Sequence, residues 1–171
     1  MIFVETERLL LQALTAAQVR LYLQNDGALE KVLKIKAVPR EIPAELLELL
    51  ENYFLPQVNR HPTQAHFYTL WSLIAKKENQ MVGDFCFKGE PSEEGQVEIG
   101  YGIFPEFRGL GLMTEAVGGI LRWCQTQPNV TIVLAETEMG NRASERVLEK
   151  YSFSRYFQGP DDSWWEYTLS P

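Results

Sequence analysis

The sequence is poor in the residues that build disulfide frameworks and metal centres. Its 171 residues include only two cysteines and two histidines. Cys86 lies in a strand-like run and Cys124 on the apolar side of a predicted helix, and neither has a second cysteine nearby. His61 and His66 lack the spacing and the acidic neighbours of a metal cluster. We therefore expect neither a disulfide framework nor a metal site, and we interpret both histidines as structural.

Long apolar runs and basic segments are missing as well. The chain has no run of about 18 apolar residues and no basic segment followed by an apolar one at its start. This predicts a soluble, cytoplasmic protein with no membrane contact. The formal net charge of −7 argues against a general nucleic-acid binder, which needs a basic surface. Amines, basic small molecules and cationic peptide ends are compatible with such a charge.

The composition that remains is that of a folded domain. Apolar residues make up 45% of the chain, aromatic residues 12%, and four are tryptophan, which is enough for a well-buried core. The length fits one core, and no repeat, linker or low-complexity segment interrupts the chain. We therefore predict a single domain over residues 1–171.

The order of the apolar patterns predicts an α+β fold. A short strand ends at Thr15, a good N-cap for the helix that follows, and an acidic helix over 43–58 is expected to end or kink at Pro56. The strand over 130–135 is nearly all β-branched, which is typical of a strand buried on both faces. The other predicted elements are a short helix at 29–36, a hairpin of 65–76 with 81–88, a strand at 96–104, helices after residue 111 and at 141–150, and a closing hairpin of 153–158 with 164–169.

The most informative stretch is the glycine-containing loop between the strand at 96–104 and the next helix. Gly109 and Gly111 let backbone N–H groups approach a ligand closely, and the start of a helix is a ready anion site. Arg108 adds a positive charge. The loop is not a dinucleotide fingerprint, because Thr114 stands where the third glycine belongs, and no GxxxxGK[ST] motif occurs. A pyrophosphate site is one interpretation, and an ordinary surface turn is the other.

Several motifs in sequence order resemble one family. They are the strand over 97–104, the loop Arg108-Gly109-Leu110-Gly111, the strand over 131–136 and the segment from Asn141 to Phe153. Together they resemble the GNAT superfamily of acetyl-CoA-dependent N-acetyltransferases over nearly the whole chain. The opening over 5–11 and the pair Asn141 and Ser144 resemble its RimJ/RimL-type branch.

The resemblance implies a fold and a cofactor site. The fold is a mixed, mostly antiparallel twisted sheet flanked by helices, with a splayed strand pair that forms the acyl-CoA cleft. The pantetheine arm lies beside the strand that ends at Phe104, pairs with the backbone of Ile103 and contacts Asn141. Backbone N–H groups of the loop hold the pyrophosphate; these belong to Arg108, Gly109, Leu110, Gly111, Leu112, Met113 and Thr114.

The resemblance also implies two catalytic residues. Glu98 occupies a position where some members place a carboxylate that removes the amine proton through water, although it also fits a solvent-facing strand residue. Ser144 matches the serine held to protonate the leaving thiolate, although it also fits a helix-capping residue. Many members instead use a tyrosine where this chain has Leu148, and Tyr151 lies three residues beyond that position.

The predicted reaction is transfer of an acetyl group from acetyl-CoA to a primary amine, either a small molecule or a protein N-terminus. The alternative is a GNAT-like domain that binds acyl-CoA with little catalysis, as a sensor or interaction module. Met113, Leu148 and Ser152 favour this alternative, because the family usually has a glycine or alanine, a tyrosine and a glycine at these positions. A nucleotide-binding fold unrelated to this family is a third option. The aromatic closing hairpin offers a surface for a second copy, so a homodimer is also considered.

Overall fold

A computed structural model describes residues 2–169. Eight strands form one sheet in the order β1-β2-β3-β4-β5-β6-β8-β7. All neighbours are antiparallel except β5 and β6, which are parallel. The strands are β1 Phe3–Glu5, β2 Leu9–Ala13, β3 Leu70–Ala75, β4 Gln80–Phe87, β5 Gln96–Ile103, β6 Ile132–Glu138, β7 Ser154–Gln158 and β8 Asp162–Thr168.

Helices cover both faces of this sheet. They are α1 Ala16–Gln24, α2 Ala28–Leu33, α3 Ala44–Leu49, α4 Leu55–Arg60, α5 Leu112–Cys124 and α6 Arg142–Lys150, with a π-helical turn at Leu50–Phe54 and 3₁₀ turns at Ala65–Phe67 and Pro105–Phe107. The predicted α+β fold is confirmed. The sequence patterns missed β1, and they merged the 3₁₀ turn at Ala65–Phe67 with β3. None of the helices within the described residues is long and apolar enough to cross a membrane.

Each sheet face has its own apolar cluster. On the α5 face, Val97 and Ile99 of β5 pack with α5 and with Leu148 of α6. On the α1 face, Leu70 and Cys86 pack with Val19 and Tyr22 of α1 and with the segment around the π turn. Both cysteines are free and buried. Side chains of β5 therefore alternate between two different environments.

Local capping explains where α1 begins. The Thr15 hydroxyl accepts a hydrogen bond from the Gln18 backbone N–H at 3.2 Å, and the Gln18 side chain accepts from the Thr15 N–H at 2.9 Å. This reciprocal pair satisfies two N–H groups that the helix itself leaves free. The predicted N-cap at Thr15 is confirmed.

Two local predictions were wrong. Pro56 does not end the helix, because it falls in the first turn of α4, where a missing N–H is tolerated, directly after a π turn that already departs from α-helical bonding. The strand β6 is not buried on both faces. Val133, Ala135 and Thr137 are buried, whereas Ile132 and Leu134 on the other face are only half-buried and Glu136 and Glu138 are exposed. Among the described residues, none of β6 belongs to the apolar cluster on the α1 face, so this face of the strand is not covered.

Candidate active site

A gap opens in the middle of the sheet, between β5 and β6. The two strands pair only where residues 96–99 of β5 face residues 132–135 of β6. Beyond that point, residues 100–103 pair with β4 alone, and residues 136–138 pair with β8 alone. The strands thus diverge toward their C-terminal ends, which confirms the predicted splayed pair.

Backbone groups of β5 face this gap. The Lys88 N–H donates to the Glu98 carbonyl and the Phe104 N–H to the Val82 carbonyl, each at 2.9 Å, so the even-numbered residues of β5 bond to β4. By alternation, Tyr101 and Ile103 direct their N–H and C=O groups into the gap. The geometry suits the predicted role of Ile103. Phe104 does not offer its N–H to the gap, because this group already donates to the Val82 carbonyl, and its side chain is buried.

The loop that follows β5 ends at an open helix start. Gly109 and Gly111 have φ of 75° and 73°, a left-handed conformation that favours glycine. Gly111 is the N-cap of α5 and supplies no side-chain cap. The first intrahelical bond runs from the Glu115 N–H to the Gly111 carbonyl, so the N–H groups of residues 112–114 have no partner within the helix. N–H groups left free at a helix start can bind an anion.

Side chains leave this helix start clear. Leu112 and Met113 are each 7% exposed and belong to the core on the α5 face. Met113 therefore points away from the loop, and its bulk does not crowd a phosphate there. Arg108 and Leu110 are exposed. A Cβ built on Gly109 would meet no other atom within 4 Å, so the space above it is open.

Arg8 stabilises the loop through its side-chain contacts. The sequence alone gave no reason to assign it a role. Its Nη1 donates to the Leu110 carbonyl at 2.9 Å, and its Nε pairs with Glu115 Oε2 at 2.5 Å. Burial raises the pKa of Glu115, but hydrogen bonds from Thr6 and Arg8 outweigh it and leave this pKa below its ordinary value. The pairing ties the β1–β2 connection to the start of α5.

Ser144 is hydrogen-bonded to a residue that the sequence did not single out. The Tyr101 hydroxyl lies 2.9 Å from Ser144 Oγ. Burial raises the pKa of Tyr101 to about 12, against the lowering effect of this hydrogen bond, so the phenol stays protonated at neutral pH. Asn141 caps α6 by accepting from the Ser144 N–H at 3.2 Å. Two-residue alternation from Ile103 is the signal that would have pointed to Tyr101.

The Tyr151 side chain is hydrogen-bonded to α5 and not to β5. Its hydroxyl donates to the Thr114 carbonyl at 2.7 Å and lies so close to α5 that a Cβ at Gly118 would come within 2.2 Å of it. This contact accounts for one of the two glycines inside α5. The turn between Tyr151 and Phe153 also forms without glycine, since Ser152 adopts a φ of 61°. Ser144, not Tyr151, carries a hydroxyl that is bonded to β5.

Glu98 lies on the other side of the sheet. It is three residues from Tyr101, so it faces the α1 side, as do Gly100 and Gly102. It forms an ion pair with Lys88, whose Nζ also lies 3.3 Å from Glu136 Oε2. Burial lowers the pKa of Lys88, but the two carboxylates outweigh it and raise this pKa above its ordinary value. The structure therefore does not bring Glu98 and Ser144 together.

A second carboxylate on the α1 side, Asp84 of β4, was missed. Its Oδ2 accepts a hydrogen bond from the Tyr22 hydroxyl at 3.1 Å. Arg40 lies over the Tyr22 ring at 4.5 Å and forms a buried ion pair with Glu30. These residues come from α1, α2, the following loop and β4, so no sequence motif joins them. Within residues 2–169, no group of three histidine, cysteine or acidic side chains is placed to hold a metal ion.

Comparison with known proteins agrees with this geometry. A family model described as an acetyltransferase (GNAT) domain matches residues 8–154. An uncharacterized N-acetyltransferase of Bacillus subtilis, YjdG, is 25% identical over 167 residues, which is 98% of each chain.

Solved structures show the same fold. The ribosomal-protein-S5-alanine acetyltransferase of Vibrio fischeri aligns over 100% of both chains with a TM-score of 0.69 and 16% identity. A RimL ribosomal L7/L12 N-acetyltransferase in complex with coenzyme A aligns over 98% of both chains with a TM-score of 0.68 and 14% identity. The matched family domain covers the β5–β6 gap, the glycine loop and all of α6. This chain therefore belongs to the GNAT family of acetyltransferases.

Proposed function

We propose that this protein transfers an acetyl group from acetyl-CoA to a primary amine, on a small molecule or at a peptide N-terminus, in the cytoplasm. The observation that carries this proposal is the continuity of the gap with the open helix start. Backbone groups of Tyr101 and Ile103 lead directly to the N–H groups at the start of α5. An extended arm that ends in a pyrophosphate fits both features.

The residues present fit coenzyme A. Two left-handed glycines remove side chains from the loop, Met113 lies in the core, and Arg108 is exposed beside it. We assign the pyrophosphate to the loop and the pantetheine amides to Ile103, with Asn141 at the far side of the gap. When bound, acetyl-CoA supplies an activated acyl thioester.

The two sheet faces supply opposite proton transfers. The attacking amine must lose a proton, and an amine with a pKa near 10.4 is almost wholly protonated at neutral pH, so a base matters. Glu98, on the α1 side, is our candidate for this base, acting through water. As the N–C bond forms and the C–S bond breaks, the thiolate takes a proton from Ser144 on the α5 side, and Ser144 regains a proton from solvent water. Tyr101 holds the Ser144 hydroxyl in place.

The binding-only alternative loses the features that favoured it. Met113 does not occupy the loop, and Ser152 forms the left-handed turn that glycine usually forms. Leu148, which stands where many members have a tyrosine, is fully buried in the core. The hydroxyl of Ser144 remains available in its place.

A thermal-shift comparison tests the cofactor assignment. At about 100 times its Kd, acetyl-CoA should add about 2.7 kcal/mol to the unfolding free energy, a rise of roughly 5 to 10 °C in Tm. NAD and ATP serve as controls and should give no comparable rise. A release assay for free coenzyme A over a panel of amines then separates catalysis from binding. An acetyl-CoA shift with no turnover on any amine would favour the binding-only module.

A further inference from the structure

Asp84 is a partly buried carboxylate to which the proposed reaction gives no role. It lies on β4 opposite Gly102 of β5, and a Cβ built on Gly102 would lie 3.3 Å from Asp84 Oδ1. Gly102 belongs to the part of β5 that has separated from β6. The carboxylate therefore lies beside the separated part of β5, on the α1 side, the side on which Glu98 lies.

The strip of β5 between these two carboxylates carries no side chains. Glu98, Gly100 and Gly102 alternate onto the α1 side, where Gly100 faces Cys86. Four residues of strand at ~3.3 Å each separate Glu98 from Gly102 by roughly 13 Å. A slender ligand can lie over the two glycines with one end at each carboxylate.

Asp84 has no cation of its own. Tyr22 donates a hydrogen bond to it, but none of the ion pairs in the described part of the chain includes it. The neighbouring guanidinium of Arg40 is paired with Glu30. Glu98, by contrast, is paired with Lys88. A carboxylate withdrawn from water without a counter-ion is unfavourable, so this position favours binding of a cation.

We propose that Asp84 binds a second cationic group of the acceptor, so that the preferred acceptor is a diamine. One amino group reacts near Glu98, and the other remains an ammonium and pairs with Asp84. This inference rests on the proposed function and narrows its substrate class. In the described part of the chain, the nearby cations Arg40 and Lys88 are already paired with other carboxylates, which leaves Asp84 open to a cation of the acceptor.

The charge state of Asp84 at neutral pH agrees with this role. The titratable groups around it are Tyr22 on α1, Glu30 on α2, Arg40 in the next loop and Cys86 on β4. Burial raises the pKa of Asp84 to about 6, against the lowering effects of the Tyr22 hydrogen bond and of Arg40. The carboxylate is therefore ionised at pH 7 and becomes neutral below about pH 6.

The test compares straight-chain diamines, from diaminopropane to diaminooctane, with monoamines of the same length. The wild-type protein should prefer the diamine by roughly tenfold in kcat/KM at the best length, and the preference should fall as pH drops below about 6. Asp84→Asn keeps an acceptor for the Tyr22 hydroxyl but should abolish the preference while leaving the monoamine rates unchanged. Asp161→Asn, in the exposed turn before β8, removes the same charge elsewhere and should keep the preference.

Other results would overturn the proposal. If Asp84→Asn loses activity on diamines and on monoamines equally, Asp84 takes part in the reaction or in the fold. If the wild type binds acetyl-CoA but acetylates neither series, the proposed function fails instead. Calorimetric titration of hexamethylenediamine into the coenzyme A complex then judges Asp84 separately. Equal heats for wild type and Asp84→Asn, or none for either, would contradict the proposal.

Discussion

The two sides of the β5–β6 gap are built from different chemical groups. On the α5 side, Tyr101 and Ser144 are neutral hydroxyls bonded to each other, and burial keeps the tyrosine protonated. On the α1 side, Glu98 and Asp84 are carboxylates, one paired with Lys88 and one hydrogen-bonded to Tyr22. One side can donate a proton at neutral pH, and the other can accept one or hold a cation.

This difference matches what an acyl transfer to an amine requires. The nitrogen arrives charged and must lose a proton, whereas the leaving sulfur must gain one. Because neighbouring side chains of a strand point to opposite faces, one strand, β5, carries both Glu98, which we propose for the first task, and Tyr101, whose bonded partner Ser144 we propose for the second. Substitutions on one side should therefore change the reaction differently from substitutions on the other.

The largest effect is expected from Glu98→Gln. Loss of a general base typically lowers the rate by about 10²- to 10⁴-fold, and the fall should be steepest near neutral pH, where the free amine is scarce. Acetyl-CoA binding should be unchanged, because Glu98 lies on the α1 side and the loop is built from backbone. Steady-state rates and the thermal shift measure the two properties separately.

Glu136→Gln is the matched control. Glu136 touches the same Lys88 ammonium from β6, so its loss removes one charge from the same cluster. We expect less than about a tenfold change, in line with the modest worth of exposed ion pairs. Equal losses in the two variants would mean that Glu98 acts through Lys88 and not as a base.

Asp84→Asn is expected to stabilise the protein in a pH-dependent way. Burial raises the pKa of Asp84 from an ordinary 3.8 to about 6, so ionisation is harder in the folded state than in the unfolded one. The free energy of unfolding therefore falls as pH rises from 3.8 to about 6, and the full loss is reached above pH 6. At about 1.36 kcal/mol per pH unit, the ceiling of this loss is ~3 kcal/mol.

The measurement is thermal unfolding of wild type and Asp84→Asn between pH 4 and 8. Above pH 6 the variant should melt higher, by at most roughly 6 to 12 °C, and near pH 4 the curves should converge. A gain in stability coupled to a loss of substrate preference is typical of a functional residue. A variant less stable at every pH would show that Asp84 serves the fold.

Gly109→Val tests the cofactor half of the site. A side chain at this open position should hinder a phosphate and lower acetyl-CoA affinity by about tenfold or more, besides the strain of a left-handed residue. Gly27→Val, at another left-handed glycine with a φ of 84°, should carry a similar strain and keep the acetyl-CoA shift. If both variants lose the acetyl-CoA shift, the effect of Gly109→Val comes from lost stability and not from a hindered phosphate.

The geometry of the proposed cofactor half could be predicted from the sequence because it is built from consecutive residues. Gly109 and Gly111 determine the loop, and the change of apolar period marks the start of α5. The strand order and the splay follow from the same stretch through the family resemblance. The proposed binding uses backbone N–H groups, so few side chains had to be identified.

The acceptor half could not be predicted in this way. Asp84, Tyr22 and Arg40 come from three separate segments, and each looks like an ordinary residue in its own local pattern. Tyr101 was read only as part of an apolar strand, since nothing local shows that Ser144 lies against it. The same limitation explains Pro56, whose effect depended on a π turn that no propensity indicates.

The smallest effect is expected from Tyr101→Phe, and it tests whether the two hydroxyls act as a unit. Ser144→Ala should lower kcat by roughly 10- to 100-fold, whereas Tyr101→Phe, which only frees the serine hydroxyl to rotate, should lower it less than about tenfold. The double variant should be no slower than Ser144→Ala alone, because Tyr101 acts through Ser144.

Tyr151→Phe is the control for this cycle. It also removes a hydroxyl that bonds across the α5 side, to the Thr114 carbonyl. We expect it to reduce the free energy of unfolding by about 1 kcal/mol. The value of kcat and its dependence on pH above neutrality should be unchanged. If the two tyrosine variants lose rate equally, or if the double variant is slower than Ser144→Ala by the full Tyr101 factor, the hydroxyl pair does not form one donor. The contrast between the two sides of the gap would then rest on the carboxylates alone.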